Sequence, residues 1–129
     1  LRRDGIPSYQ LAVVIDDEEQ EVTHIVRGAD LMDNTARQLC LREKLDLSLP
    51  CYAHVPVFTH SSGIKLSKHS DATAIDDRFP SQNLQTALQL LGQPVPAEKT
   101  VDELLSNACA SWKHTMVPKT PSIKNFVSV

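Results

Sequence analysis

Leu11-Ala12-Val13-Val14-Ile15 is an unbroken apolar run rich in β-branched residues, and Val22-Thr23-His24-Ile25-Val26-Arg27 follows it after the acidic stretch Asp16-Asp17-Glu18-Glu19. The first run has the form of a strand covered on both faces in a parallel sheet, which the acidic stretch ends. The second reads as a short strand stopping at Gly28. Asp33 or Asn34 then offers a cap for a helix starting near Thr35 and carrying Ala36, Leu39, Cys40 and, at its far limit, Leu47. Pro50 closes the connection, Ala53 to Thr59 makes a third strand, and His60-Ser61-Ser62-Gly63 is a turn. Strand, helix, strand predicts a crossover unit and therefore an α/β fold.

Beyond the turn lies a cationic loop, Lys65-Leu66-Ser67-Lys68, and then a stretch without periodicity from Ser70 to Pro80 that reads as an exposed connector. Gln82 to Leu91 places Leu84, Ala87, Leu88 and Leu91 at helical intervals, and Gly92 followed by Pro94 is a suitable stop. Thr100-Val101-Asp102-Glu103 has capping-box spacing, with Leu104, Leu105, Ala108 and Trp112 continuing the helix. Leu88, Leu91, Leu104 and Trp112 are expected to be packing residues. From Val117 the tail, with Pro118 and Pro121, is expected to be an extended strap or a frayed end.

The chain has 129 residues, 41% of them hydrophobic, enough for one domain with a modest core. Its start at Leu1, running straight into Arg2-Arg3-Asp4-Gly5, is read as truncation. No stretch approaches the roughly 18 uninterrupted apolar residues of a membrane span, so a soluble, cytoplasmic protein without a membrane partner is expected. Cys40, Cys51 and Cys109 are odd in number and widely spaced, which fits reduced thiols and offers no zinc spacing. A formal charge of -3 argues against wholesale coating of nucleic acid, while leaving room for a local basic loop that grips phosphate.

Three blocks in order, Tyr9 to Asp17, Val22 to Asp30 and Lys65-Leu66-Ser67-Lys68, resemble the second half of the catalytic domain of class I glutamyl-tRNA synthetases. Ala29, where ordinary members carry an acid, and the short ending around Ser111-Trp112 and Val117-Pro118 look like the glutamyl-Q tRNA(Asp) synthetases, a group without an anticodon-binding domain. The resemblance implies the second half of a doubly wound nucleotide-binding domain over residues 1–69, ending in the lysine loop. Residues 70–129 would form a small helical appendage and an extended tail. It further implies an ATP-dependent ligase, with Mg2+ accompanying ATP as substrate, glutamate as the amino acid and tRNA, specifically tRNA(Asp), as acceptor. The complete protein is expected to be a monomer. The family's first ATP motif and its zinc-binding insertion have no counterpart here, so any zinc would be held by residues absent from this chain. The isolated chain is accordingly expected to be inactive, and it should form one wall of the crevice in which such folds bind ligands.

The resemblance implies that Lys65 and Lys68 meet the phosphates of ATP, where fixed cations stabilise the charge that develops on the α-phosphate and the departing pyrophosphate; a solvated basic turn is the other reading. Ser67 either donates a hydrogen bond to shape that loop or touch phosphate, or is an ordinary turn hydroxyl. His69 replaces the Ser or Arg that often ends the family's loop. Arg27 ends a strand before Gly28, from which its planar fork can meet a carboxylate bidentately; the alternative is a surface arginine paired with Asp30. The resemblance places Arg27 and Tyr9 around bound glutamate, with an interfacial tyrosine as the other reading of Tyr9. Asp30 is either a contact to ATP or the accepting nucleoside, or a helix-entry acid. His54 resembles the family stretch whose backbone passes adenine, with a satisfied buried histidine as the other reading. Asp16 and Asp17, read as consecutive strand residues facing opposite ways, are taken as structural. His24 has no metal constellation around it.

Overall fold

The computed structural model describes residues 5–67, 72, 74–97 and 100–124. The chain divides into two compact units, Leu1–His54 and Val55–Val129.

The first unit opens with helix α1, Tyr9–Glu19. The run Leu11 to Ile15 is therefore helical, which corrects the strand expected there. Ser8 supplies the first carbonyl, accepting from the Leu11 and Ala12 amides at 3.0 Å, and Val14 is fully buried while Ile15 is 43% exposed. A short apolar run looks alike in both periodicities, and β-branched residues cost a helix only a few tenths of a kcal/mol each. The acidic residues that looked like a terminator instead extend the helix. It closes where Glu21 turns to φ 53°, so that Glu21 N–H bonds to Glu18 O and Val22 N–H to Asp17 O. That pair of bonds is the Schellman ending, made here without glycine.

Strand β1, His24–Gly28, runs through a 3-10 turn at Ala29–Leu31 into helix α2, Met32–Lys44, and strand β2, Cys51–Val55, lies beside β1 in a two-stranded sheet. The expected strand, helix, strand unit is thus present, though neither Asp33 nor Asn34 caps the helix; Leu31 holds the cap position. Asn34 instead accepts from Gln10 Nε2 at 2.6 Å, tying α2 to α1. The buried positions of α2 are Thr35, Gln38 and Arg42, whereas Ala36 and Cys40 are exposed and Leu47 lies beyond the helix end. The spacing i, i+3, i+7 is the helical stripe expected, displaced from the apolar residues onto a polar face.

Arg42 explains one end of that stripe. Fully buried, it donates from Nη1 to Glu18 Oε2 at 2.9 Å and to the Ser48 carbonyl at 2.8 Å, with Asp17 Oδ2 3.6 Å from Nη2. Ser48 Oγ also donates to Glu18 Oε2 at 2.6 Å. The Ser48 hydroxyl first, and the Arg42 guanidinium after it, hold the Glu18 carboxyl below the usual carboxylate range. Asp17 and Glu18 are structural through this arginine, from helix positions rather than strand positions.

In the second unit, strand β3, Val57–Thr59, is separated from β2 by Pro56, which has no N–H to give a ladder. The turn at residues 60–63 forms as expected, with Gly63 at φ 84°, His60 N–H on Ile64 O at 2.8 Å and Leu66 N–H on Phe58 O at 2.9 Å. Helices α3, Pro80–Leu90, and α4, Val101–Ser111, pack through Leu88, Leu104 and Ala108, with Leu84 and Trp112 against them. The α3 stop is a full Schellman ending at Gly92, φ 67°, where Gln93 N–H reaches Leu88 O. A Cβ at Gly92 would lie 2.5 Å from Met116 O, so glycine is required there twice over. At α4 the capping-box pair bond to each other, Thr100 Oγ1 donating to Glu103 Oε2 at 2.6 Å, and Thr100 makes no side-chain cap bond to the helix backbone. The tail is a strap with a strand in it: β4, Ser122–Lys124, pairs in parallel with β3. Gln93 anchors the strap's approach, exchanging hydrogen bonds with Lys113 N and O. No helix among the described residues is long and apolar enough to cross a membrane.

Candidate functional site

Arg27 stands near the end of β1, where alternation along the strand leaves it half-buried between exposed Val26 and the turn at Gly28. Its Nη2 donates to Thr35 Oγ1 at 2.7 Å, one turn into α2. Its guanidinium carbon sits 5.2 Å from the ring centroid of Tyr52, within the range of a cation–π contact. Asp30 lies exposed in the 3-10 turn, in the first-turn position that an acid favours at a helix entry.

His54 projects from β2, two residues from Tyr52 and hence on the same face, and their rings stack with centroids 6.5 Å apart and planes 6° from parallel. His54 Nε2 lies 2.9 Å from the same Thr35 hydroxyl that holds Arg27. Two residues that the sequence assigned to different ligands thus meet on one oxygen. Nε2 of the imidazole is thereby engaged by Thr35.

Sequence reasoning missed Thr35 and Tyr52. A signal for each was present: Thr35 begins the polar stripe completed by Gln38 and Arg42, and Tyr52 shares a strand face with His54. The Arg27 Nε, the Tyr52 hydroxyl and both amide atoms of Gln38 are buried with no hydrogen-bond partner. Such groups are uncommon in folded proteins, and Gln10 Oε1, Arg42 Nε and Nη2 and His60 Nε2 share the condition. Tyr9, the other expected glutamate contact, begins α1 and is 56% exposed.

Lys65 and Ser67 belong to the second unit. Lys65 lies on the return arm of the hairpin, bridged to Thr59 in antiparallel fashion and exposed, while Ser67 is half-buried and its carbonyl accepts from Ala72 N at 3.4 Å. Lys68 and His69 lie outside the described residues. Among the described residues no group of His, Cys, Asp and Glu is gathered to hold a metal ion.

Residues 1–123 match the family of class I tRNA synthetases (E and Q), catalytic domain. The glutamyl-Q tRNA(Asp) synthetase of Methylococcus capsulatus is 48% identical over 120 residues, covering 91% of this chain and 40% of that protein. That of Chromobacterium violaceum is 49% identical over 122 residues, covering 94% of this chain and 41% of its own length. The chain thus spans about two fifths of these relatives. Among solved structures, a glutamate tRNA ligase from Elizabethkingia meningosepticum, crystallised with its amino acid, superposes with a TM-score of 0.69 at 22% identity. It covers 99% of this chain and 29% of that one, and shares the fold.

Proposed function

Because the chain belongs to the class I tRNA synthetase (E and Q) catalytic-domain family, we propose that it supplies the later part of a glutamate-activating domain. That domain forms glutamyl-adenylate from glutamate and ATP. The α-carboxylate oxygen of glutamate attacks the α-phosphorus and the bond to pyrophosphate breaks. A hydroxyl of the acceptor then attacks the acyl carbon, forming an ester and expelling AMP. No protein nucleophile is needed; the residues supply position and charge. The names of the relatives favour queuosine of tRNA(Asp) as the acceptor, with the 3′ end of tRNA(Glu) as the second reading, and acceptor assays on the complete enzyme distinguish them. Residues 1–69 would complete the nucleotide-binding half, with residues 70–129 as its appendage, in a monomeric protein.

The observation that carries this reading is the held guanidinium of Arg27, fixed by Thr35 and Tyr52 at a strand end with its Nε unpartnered. In this reading Arg27 meets a glutamate carboxylate and Tyr9 offers its phenol to the same ligand. Lys65, Ser67 and Lys68 serve the phosphates of ATP, which enters with Mg2+, His54 contributes its backbone beside adenine, and Asp30 approaches ATP or the acceptor nucleoside. Arg27→Ala in the complete enzyme is expected to weaken glutamate binding by about 2–5 kcal/mol, the range for truncating one member of a buried charge pair. An unaltered KM for glutamate would reject the assignment. Lys68→Ala is expected to lower glutamate-dependent pyrophosphate exchange by roughly 10²–10³, the usual loss of one pre-organised charge partner.

A further inference from the structure

We propose that Thr35 is a positioning residue for Arg27: its hydroxyl fixes the rotation of the guanidinium, and His54 fixes the hydroxyl. The inference rests on the reading that Arg27 receives a glutamate carboxylate, and it adds what makes that arginine selective.

Arginine only donates, so the 2.7 Å contact requires Thr35 Oγ1 to accept from Nη2. The hydroxyl has one hydrogen of its own, and two partners are near it: His54 Nε2 at 2.9 Å and the Leu31 carbonyl at 3.4 Å. The contact to His54 is the shorter and lies within normal hydrogen-bond range, with the direction of donation set by the imidazole tautomer, while the contact to Leu31 lies at the limit. In either tautomer the Thr35 oxygen accepts from Arg27 and is held by His54. The Tyr52 ring closes the arrangement from another side, 5.2 Å from the guanidinium carbon and stacked on His54.

The backbone reinforces the clamp. Thr35 is buried in the first turn of α2, and a β-branched side chain in a helix has few rotamers, so the hydroxyl is held before any ligand arrives. An unclamped arginine would sample many rotamers and lose that freedom on binding glutamate. Holding one edge of the fork on Thr35 removes much of that cost and turns the remaining edge toward a single direction, which is the condition for bidentate recognition of a planar carboxylate.

The test is glutamate-dependent ATP–pyrophosphate exchange by the complete enzyme, with tRNA present, comparing Thr35→Val, Thr35→Ser and Arg27→Ala. Thr35→Val keeps the shape and removes the hydroxyl. Its KM for glutamate is expected to rise about 10- to 100-fold, the range for losing a hydrogen bond to a charged group, while the KM for ATP stays within about twofold. Thr35→Ser, which keeps the oxygen, is expected to restore the glutamate KM to within a few fold. A merely structural role would lower thermal stability and move both KM values together. If Arg27→Ala raises the glutamate KM but Thr35→Val does not, the positioning role is overturned and the site reading stands. If Arg27→Ala leaves it unchanged, the site reading itself fails. Should Thr35→Val not fold, Thr35→Ser still decides: a rise as large as that of Arg27→Ala means packing, not the hydroxyl, holds the arginine.

Discussion

Replacing Arg42 with methionine removes a charge while keeping most of the aliphatic stem, and the cost can be worked from the contacts the guanidinium makes. Two hydrogen bonds disappear, at 2.9 Å to Glu18 and 2.8 Å to the Ser48 carbonyl, along with the 3.6 Å ion pair to Asp17. Loss of a bond between charged groups is worth about 1.5–3 kcal/mol and a bond to a carbonyl about 1 kcal/mol. Against this, the variant no longer keeps a guanidinium out of water, and both Glu18 and Ser48 reach enough solvent to rehydrate, which returns on the order of 1 kcal/mol. A net destabilisation of about 1.5–3 kcal/mol is expected. Equilibrium urea unfolding, followed by far-UV circular dichroism, would read this as a midpoint lowered by about 1–2 M, taking a slope of about 1.5–2 kcal/mol/M. The acid limb gives a second readout. The Glu18 carboxyl is held down in the folded chain, so its contribution is present above the ordinary carboxylate range and disappears as pH falls through its lowered folded value. Arg42→Met should flatten that loss without abolishing it, because the Ser48 hydroxyl, the larger cause, remains. An unchanged or higher midpoint would mean that desolvation outweighs the bonds and that the stripe on α2 is not held by its arginine.

Three further outcomes follow from the packing and the helix ends. Leu104→Ala empties a fully buried position between α3 and α4 and should cost about 2–5 kcal/mol, read by thermal or urea unfolding with Trp112 fluorescence as the local probe. Gly92→Ala should destabilise by more than about 1 kcal/mol, since the new methyl would meet Met116 O at 2.5 Å in a left-handed backbone; a neutral result would mean the strap shifts freely. Glu21→Gly, at φ 53° with no side-chain bond found, should stabilise by about 0.5–1 kcal/mol, measured as a raised melting temperature.

The candidate site was partly legible. Arg27 and His54, which meet on the Thr35 hydroxyl, were marked by residue type and by position near strand ends. The clamp on Arg27 was not, because Thr35 looks like an ordinary helix-entry residue until His54, 19 residues on, is brought to its hydroxyl. The same holds for α2. Apolar residues were read as its inner face, yet Gln38 and Arg42 are buried, and what compensates Arg42 is Glu18, 24 residues earlier.

By itself the sequence determined what short stretches of backbone can satisfy within themselves: the turn at Gly63, the stop at Gly92, the start of α4 at Thr100 and the alternation of β1, while the break at Pro56, read through as one strand from Ala53 to Thr59, was there to be read from its missing N–H. Each rests on a fixed φ, a missing N–H or bonds between neighbours, and none waits for a distant partner. Tertiary structure decided that Leu11 to Ile15 coil into α1, that α2 turns its polar stripe inward, and that Ser122–Lys124 becomes a strand on β3. Those choices compare alternatives of nearly equal local energy, and long-range contacts break the tie: Gln10 with Asn34, Glu18 with Arg42, and Val57 with the strap at Pro121.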